Sequence, residues 1–107
     1  LARYKNVFIE SGGITWLFND EFYPFRGAIE AIRQAAALVG MEKLMWGSDY
    51  PRTITAITYR MSYDFVLKSN ELTPEEKAMF LGKNAEQFYG FKHLVELPYI
   101  KNMSEWI

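Results

Sequence analysis

Asp49 is the residue in this sequence whose type and position best suit a role in catalysis. It lies within residues 46–51, Trp-Gly-Ser-Asp-Tyr-Pro, directly after a short apolar run at positions 43–45. We interpret that run as a buried strand that ends in a sharp turn, because Gly47 and Pro51 lie on either side of the aspartate. Parallel α/β enzymes carry their chemistry at the carboxyl ends of strands. An ordinary turn, in which Asp49 bonds nearby backbone N–H groups, explains the same residues equally well.

Four further residues could contact a small substrate. Ser11 ends a neighbouring apolar run, although its turn can also be explained by backbone freedom alone. Tyr50 and Arg52 flank the aspartate, and Arg52 could pair with a substrate carboxylate through two hydrogen bonds, or simply be solvated at the surface. Trp16 belongs to an aromatic-rich connection that could cover a pocket. Packing onto the helix that follows explains those aromatic residues at least as well.

The elements that would position these residues form the order strand, helix, strand, helix, helix, helix. The first strand is predicted at residues 7–10 and the second at residues 43–46. Between them we predict a helix with Pro24 in its first turn and Gly40 directly after its end. Apolar residues recur along that helix at steps of four and three positions, at Phe25, Ile29, Ile32, Ala36 and Val39.

The second half of the sequence predicts three more helices. Arg52 and Thr53 lead into one that runs through about residue 68, with a buried side formed by Ile54, Ile57, Met61 and Phe65. The next begins at a capping box, in which Thr73 is the N-cap and Glu76 is the third helical residue. We expect Gly82 to interrupt it and a short helix to follow over residues 83–89, with Ala85, Phe88 and Tyr89 facing inward. Residues 91–107 are expected to form an irregular tail packed against the body.

Composition excludes several classes of function. The chain has 107 residues, 12 Lys and Arg against 13 Asp and Glu, no Cys and one His. This balance provides no basic surface for nucleic acid or anionic lipid. No apolar run approaches the roughly 18 residues of a membrane span, and the first residues lack the features of a signal peptide. We therefore expect a cytoplasmic protein.

The spacing of the two strands predicts the fold class. Val7 and Leu44 are 37 positions apart, which suits consecutive units of an eightfold barrel of about 250 residues. We predict an α/β fold: the last two strand-helix units of a (β/α)8 TIM barrel plus C-terminal helices. Residues 1–107 would then be a C-terminal fragment of one domain. Because two parallel strands leave apolar faces uncovered, we expect a homo-oligomer or association with the missing barrel portion.

Three segments resemble one family of enzymes. Residues 44–51 resemble the final barrel strand of the amidohydrolase-related metal-dependent hydrolases, which belong to the amidohydrolase superfamily of TIM-barrel enzymes. Residues 72–90, with the pair Asn84-Ala85 before an aromatic residue and a glycine, are similar to the closing helices of that family. Residues 4–12 are more weakly similar to its penultimate strand. The resemblance extends from about residue 1 to residue 91.

This resemblance implies a hydrolase in which metal-activated water attacks an amide, ester or lactone carbonyl. Asp49 matches the family aspartate that accepts a proton from the attacking water and can also serve as a metal ligand. The implied cofactor is a divalent metal, Zn²⁺ or a similar ion. The family's histidine ligands belong to earlier strands, and His93 lies beyond the matched helices. We therefore expect the fragment alone to be inactive.

Two other functions remain open from the sequence. Some relatives in this family decarboxylate their substrates with a similar set of residues. A non-catalytic α/β interaction domain that keeps the barrel architecture is the alternative from a different class, since rich aromatic content suits protein partners. A His-x-His pair on a first strand, with single histidines ending two middle strands, would favour the enzyme.

Overall fold

The computed structural model describes Leu1 and residues 3–90 of the chain. The predicted tail and His93 lie outside these residues. The described part is an α/β arrangement of two strands and several helices in the order β1 (Ile9–Glu10), α1 (Ile14–Leu17), α2 (Arg26–Val39), β2 (Leu44–Met45), α3 (Met61–Lys68), α4 (Pro74–Ala78) and α5 (Asn84–Tyr89). Single 3₁₀ turns lie at Met41–Lys43 and Thr53–Thr55, and a π-helical turn lies at Met79–Lys83.

The two strands are parallel, as the spacing predicted, but each has two residues instead of four. Ile9 pairs with Leu44, and Glu10 pairs with Met45. Before this short ladder begins, the Lys43 ammonium links the two chain segments. It donates to the carbonyl oxygens of Tyr4 at 2.7 Å and Val7 at 3.0 Å. The Val7 carbonyl therefore bonds a side chain rather than a strand amide.

Helix α2 begins later than the sequence predicted. Pro24 lies two residues before the first helical residue, because Phe25 adopts a left-handed conformation with φ 56° and turns the chain. The Glu21 carboxylate then accepts a hydrogen bond of 2.9 Å from the Gly27 N–H. An acidic group thus satisfies one of the unpaired amides at the start of the helix and complements its dipole.

The apolar stripe of α2 forms one side of the core, which confirms its predicted periodicity. Ile29 and Ile32 are 3% and 2% exposed, and Gly40 ends the helix with φ 92°. The other buried apolar side chains of this cluster come from α1, the aromatic connection, α2 itself, β2 with the turn before it, and the second half of the chain: Ile14, Phe25, Ala28, Met41, Leu44, Phe65, Val66, Leu72 and Phe80.

The long helix predicted to follow Arg52 and Thr53 and to run through about residue 68 is wrong in its first half. After the 3₁₀ turn the chain continues irregularly until α3 begins at Met61. Here threonine hydroxyl groups form hydrogen bonds to the backbone within this stretch. Thr55 Oγ1 donates to the Arg52 carbonyl at 2.7 Å, and Thr58 Oγ1 accepts from the Met61 N–H at 3.1 Å. Such local bonds compete with a regular helix. Ile54, predicted to be buried, is 43% exposed.

The chain from residue 74 to residue 89 is helical throughout, and Gly82 does not break it. The capping box of Thr73 and Glu76 is present as predicted. The π-helical turn contains Gly82, and within it the Phe80 carbonyl accepts a bond of 2.9 Å from the Trp46 N–H. A wider helical turn leaves carbonyl groups free for such outside partners.

Asn84 connects this helical segment to the second strand. It is 3% exposed, and its side-chain amide donates to the carbonyl oxygens of Met41 at 2.7 Å and Leu44 at 2.8 Å. Its role is structural, since it connects the helical segment to β2 and to the turn before that strand. The prediction that Phe88 and Tyr89 face inward is wrong, because they are 44% and 56% exposed. Within the described ranges no helix is long and apolar enough to cross a membrane.

Candidate active site

The candidate site lies where the two parallel strands end, because both turns that follow them meet at the same edge of the sheet. The first turn is residues 11–13, and the second is residues 46–51. Ser11 joins the first turn to the end of β2: its N–H and its hydroxyl both donate to the Met45 carbonyl, at 2.8 Å and 3.1 Å. Any contact of Ser11 with a substrate would therefore use its oxygen as an acceptor.

Asp49 lies against the turn that follows β1. Its backbone is left-handed with φ 52°, and its carbonyl accepts a bond of 3.3 Å from the Thr53 N–H. A Cβ atom placed on Gly13 would lie 2.8 Å from Asp49 Oδ2, so the glycine leaves the space in which the carboxylate sits. Gly13 itself has φ 72°, a conformation that glycine adopts without strain. The carboxylate is thus placed at the ends of both strands and remains exposed to solvent.

Trp16 and Arg52, both predicted to bind substrate, are in direct contact. The Arg52 guanidinium carbon lies 4.7 Å from the centre of the Trp16 ring, well within the range of a cation–π interaction. Trp16 belongs to α1, a one-turn helix that the sequence did not predict. Tyr50, the remaining predicted substrate residue, is 67% exposed, and its N–H donates to the Ser48 hydroxyl at 3.2 Å.

Glu10 is a candidate that the sequence reasoning missed. Its Oε1 lies 3.2 Å from the position of a Cβ on Gly12, and the carboxylate also occupies the space beside Gly47. Leu44 belongs to the helix-facing core cluster, whereas Met45 is buried outside it. Since successive strand side chains point to opposite faces, Glu10, the partner of Met45, lies on the face away from the helices. The sequence feature that could have identified Glu10 is its charge within an otherwise apolar predicted strand.

The donor groups for a metal ion are incomplete in the part of the chain that the structure describes. No three side chains of His, Cys, Asp or Glu form a group there that could hold a metal. Catalytic zinc sites usually use three protein ligands. Asp49 alone therefore fits such an ion as a single ligand, and the remaining ligands would have to come from other residues.

A cluster of charged and polar side chains, separate in sequence from these turns, lies where α3 meets the aromatic connection. Asp64 is 7% exposed, accepts a hydrogen bond of 3.5 Å from the Tyr23 hydroxyl and pairs with the Lys68 ammonium at 2.8 Å. Burial, and then the negative charge of Asp64, raises the pKa of Tyr23. The hydrogen bond and charge of Asp64 raise the pKa of Lys68. These groups fix α3 to the connection and form no part of the site.

Comparison with known proteins gives one match. The family model described as Amidohydrolase matches residues 1–91, which include both strands and the turns that follow them. This family consists of hydrolase-type enzymes that act on small molecules and generally use a divalent metal. No curated protein and no solved structure matches the chain. Because the family match covers more than half of the sequence, the chain belongs to the amidohydrolase family.

Proposed function

We propose that Asp49 is the proton acceptor of a hydrolase in which water attacks an amide, ester or lactone carbonyl. The observation that carries this proposal is the position of the Asp49 carboxylate, which lies at the ends of two parallel strands and against Gly13 of the neighbouring turn. An exposed carboxylate fixed there can take a proton from an attacking water and return it to the leaving group. Contacts with Gly13 and Thr53 hold the backbone and side chain in place.

The cofactor in this proposal is a divalent ion, Zn²⁺ or a similar metal. Such an ion supplies Lewis acidity and makes a water molecule acidic enough to react near neutral pH. Asp49 would be one ligand or would lie directly beside the ion. We propose that the other ligands come from earlier strands of a (β/α)8 barrel, of which β1 and β2 would be the last two. The outer edge of β1 supports this arrangement, since no strand pairs with it in the part of the chain that the structure describes and an unpaired strand edge exposes backbone N–H and C=O groups.

The proposal is tested by Asp49→Asn in the full-length protein. The amide keeps the size and shape of the side chain but cannot accept the proton, so we expect turnover to fall by about 10²- to 10⁴-fold. Asp20→Asn is the matched control, because Asp20 is an exposed aspartate in the connection that precedes α2. Far-UV circular dichroism and metal analysis should accompany the kinetics.

The outcomes separate the two parts of the proposal. If Asp49→Asn loses turnover but keeps its metal content, Asp49 acts only as the proton acceptor. If the variant loses both turnover and metal, Asp49 is also a metal ligand. Wild-type turnover in Asp49→Asn, measured with a substrate that the parent enzyme hydrolyses, would refute the proposal. The Asp20→Asn control should retain its activity in either case.

A further inference from the structure

The contact between Arg52 and Trp16 places a positive charge at the candidate site. The Arg52 backbone is fixed, since its carbonyl accepts bonds from the Thr55 N–H at 3.1 Å and the Thr55 hydroxyl at 2.7 Å. The Trp16 backbone is fixed too, because its N–H donates to the Gly13 carbonyl at 2.9 Å. A half-buried indole ring on one rigid turn therefore supports a guanidinium group on another.

The Arg52 guanidinium pairs with no carboxylate in the part of the chain that the structure describes. There the ion pairs between side chains are those of Asp64 with Arg60 and Lys68. A guanidinium that stacks on an aromatic face keeps its N–H donors in its own plane, directed outward along the edge. That edge matches a carboxylate, which accepts two parallel hydrogen bonds from it. Arg52 is thus supported from one side and available to an anion from the other.

Asp49 and Arg52 are held by the same pair of chain segments. Gly13 contacts Asp49, and three residues further along each segment Trp16 contacts Arg52. The turn after β2 therefore carries both the Asp49 carboxylate and the Arg52 guanidinium, and both contact the segment that follows β1. A substrate whose carboxylate bonds Arg52 would extend its scissile carbonyl towards Asp49.

We propose that Arg52, held in position by Trp16, binds a carboxylate group of the substrate, so that the enzyme acts on carboxylate-bearing amides, esters or lactones. This inference rests on the proposed function, because it assigns the substrate class of the same site. Arg52 is the residue that touches the substrate. Trp16 acts through Arg52 and is a positioning residue.

Binding of benzoate to the full-length protein tests the inference without any turnover. Benzoate carries the carboxylate, and benzamide is the neutral probe of nearly the same shape. We expect benzoate to bind the wild-type protein and to bind Arg52→Gln at least tenfold more weakly, with benzamide showing no such difference. Arg33→Gln is the matched control, since Arg33 is an exposed arginine on α2, and it should bind benzoate as the wild type does.

Two variants of Trp16 test its positioning role. Trp16→Phe retains an aromatic face for the guanidinium, whereas Trp16→Leu removes it. We expect benzoate affinity to fall in Trp16→Leu and to be largely restored in Trp16→Phe, at equal thermal stability. A purely structural role for Trp16 would instead change stability and leave the affinity ratio of benzoate to benzamide unaltered.

The results that would overturn the inference are distinct from those that concern Asp49. No benzoate binding by the wild type at millimolar concentration, or equal binding by wild type and Arg52→Gln, would overturn the substrate class. Asp49→Asn should still bind benzoate, because it retains Arg52 and Trp16. Benzoate binding that depends on Arg52, in an enzyme whose turnover does not depend on Asp49, would support the anion site and refute the proposed function.

Discussion

The space that Gly13 leaves for the Asp49 carboxylate can be tested by filling it. In Gly13→Ala the new Cβ would lie 2.8 Å from Asp49 Oδ2 and 3.2 Å from Asp49 Cβ. Ordinary contacts between such atoms are about 3.5 Å, so the carboxylate has to move by about half an ångström or more. A misplacement of 1 Å costs about 10²-fold in rate, and we therefore expect kcat/KM to fall about tenfold.

The same substitution also affects stability, through the backbone. Gly13 has φ 72°, and a left-handed conformation costs an alanine about 1–2 kcal/mol. Gly90→Ala is the matched control, because Gly90 has φ 68° and a methyl group added there would meet no described atom within 4 Å. Both variants should lose similar backbone stability, but only Gly13→Ala should displace Asp49.

Urea denaturation and steady-state kinetics of the two variants, made in the full-length protein, separate these effects. We expect Gly13→Ala to be the less stable variant and the only one with reduced kcat/KM. Equal stability and wild-type kinetics in both would refute the reasoning, since the carboxylate would then not depend on the space at Gly13.

Two further predictions concern the body that supports the site. In the native protein the Asn84 amide donates to two buried carbonyl oxygens, at 2.7 Å and 2.8 Å. Asn84→Ala leaves both oxygens without a donor and should lower the free energy of unfolding in urea by about 2–4 kcal/mol. The control Asn70→Ala, at an exposed position, should change this free energy by less than about 0.5 kcal/mol. The pKa of Tyr23 is raised above 10.0 by burial and by Asp64, so the folded protein holds this proton more tightly than the unfolded chain. That contribution is present below pH 10.0 and is lost as the pH rises through the folded pKa. The unfolding free energy of the wild type should therefore fall more steeply above that pH than that of Tyr23→Phe, and identical slopes would contradict the assignment.

Patterns that depend on local chemistry could be predicted from the sequence. The period of apolar residues along α2 reports one buried face, and Ile29 and Ile32 lie in the core as that period requires. The capping box at Thr73 and Glu76 is formed by two residues three positions apart, so it needs no distant partner. The parallel pairing followed from the length of chain between two apolar runs.

Features that depend on distant partners could not be predicted in this way. The end of α2 towards Pro24 is set by the left-handed Phe25, whose ring is buried in the core. The helix break at Gly82 did not occur, because the chain widens into a π-helical turn that bonds Trp46. Sequence alone identified Arg52 and Trp16 separately, and their contact became visible only when α1 and the turn after β2 were placed side by side.

The bonds of the Lys43 ammonium have a consequence for the alignment of the two strands. A ladder of two residue pairs provides few hydrogen bonds against sliding, and a shift by one residue would turn each side chain to the opposite face. Such a shift would also carry the Lys43 ammonium about 3.3 Å away from the carbonyl oxygens of Tyr4 and Val7. The Lys43 ammonium at the amino end of the sheet thus opposes a shift in strand register. Acetylation of Lys43 would remove its positive charge and weaken this restraint.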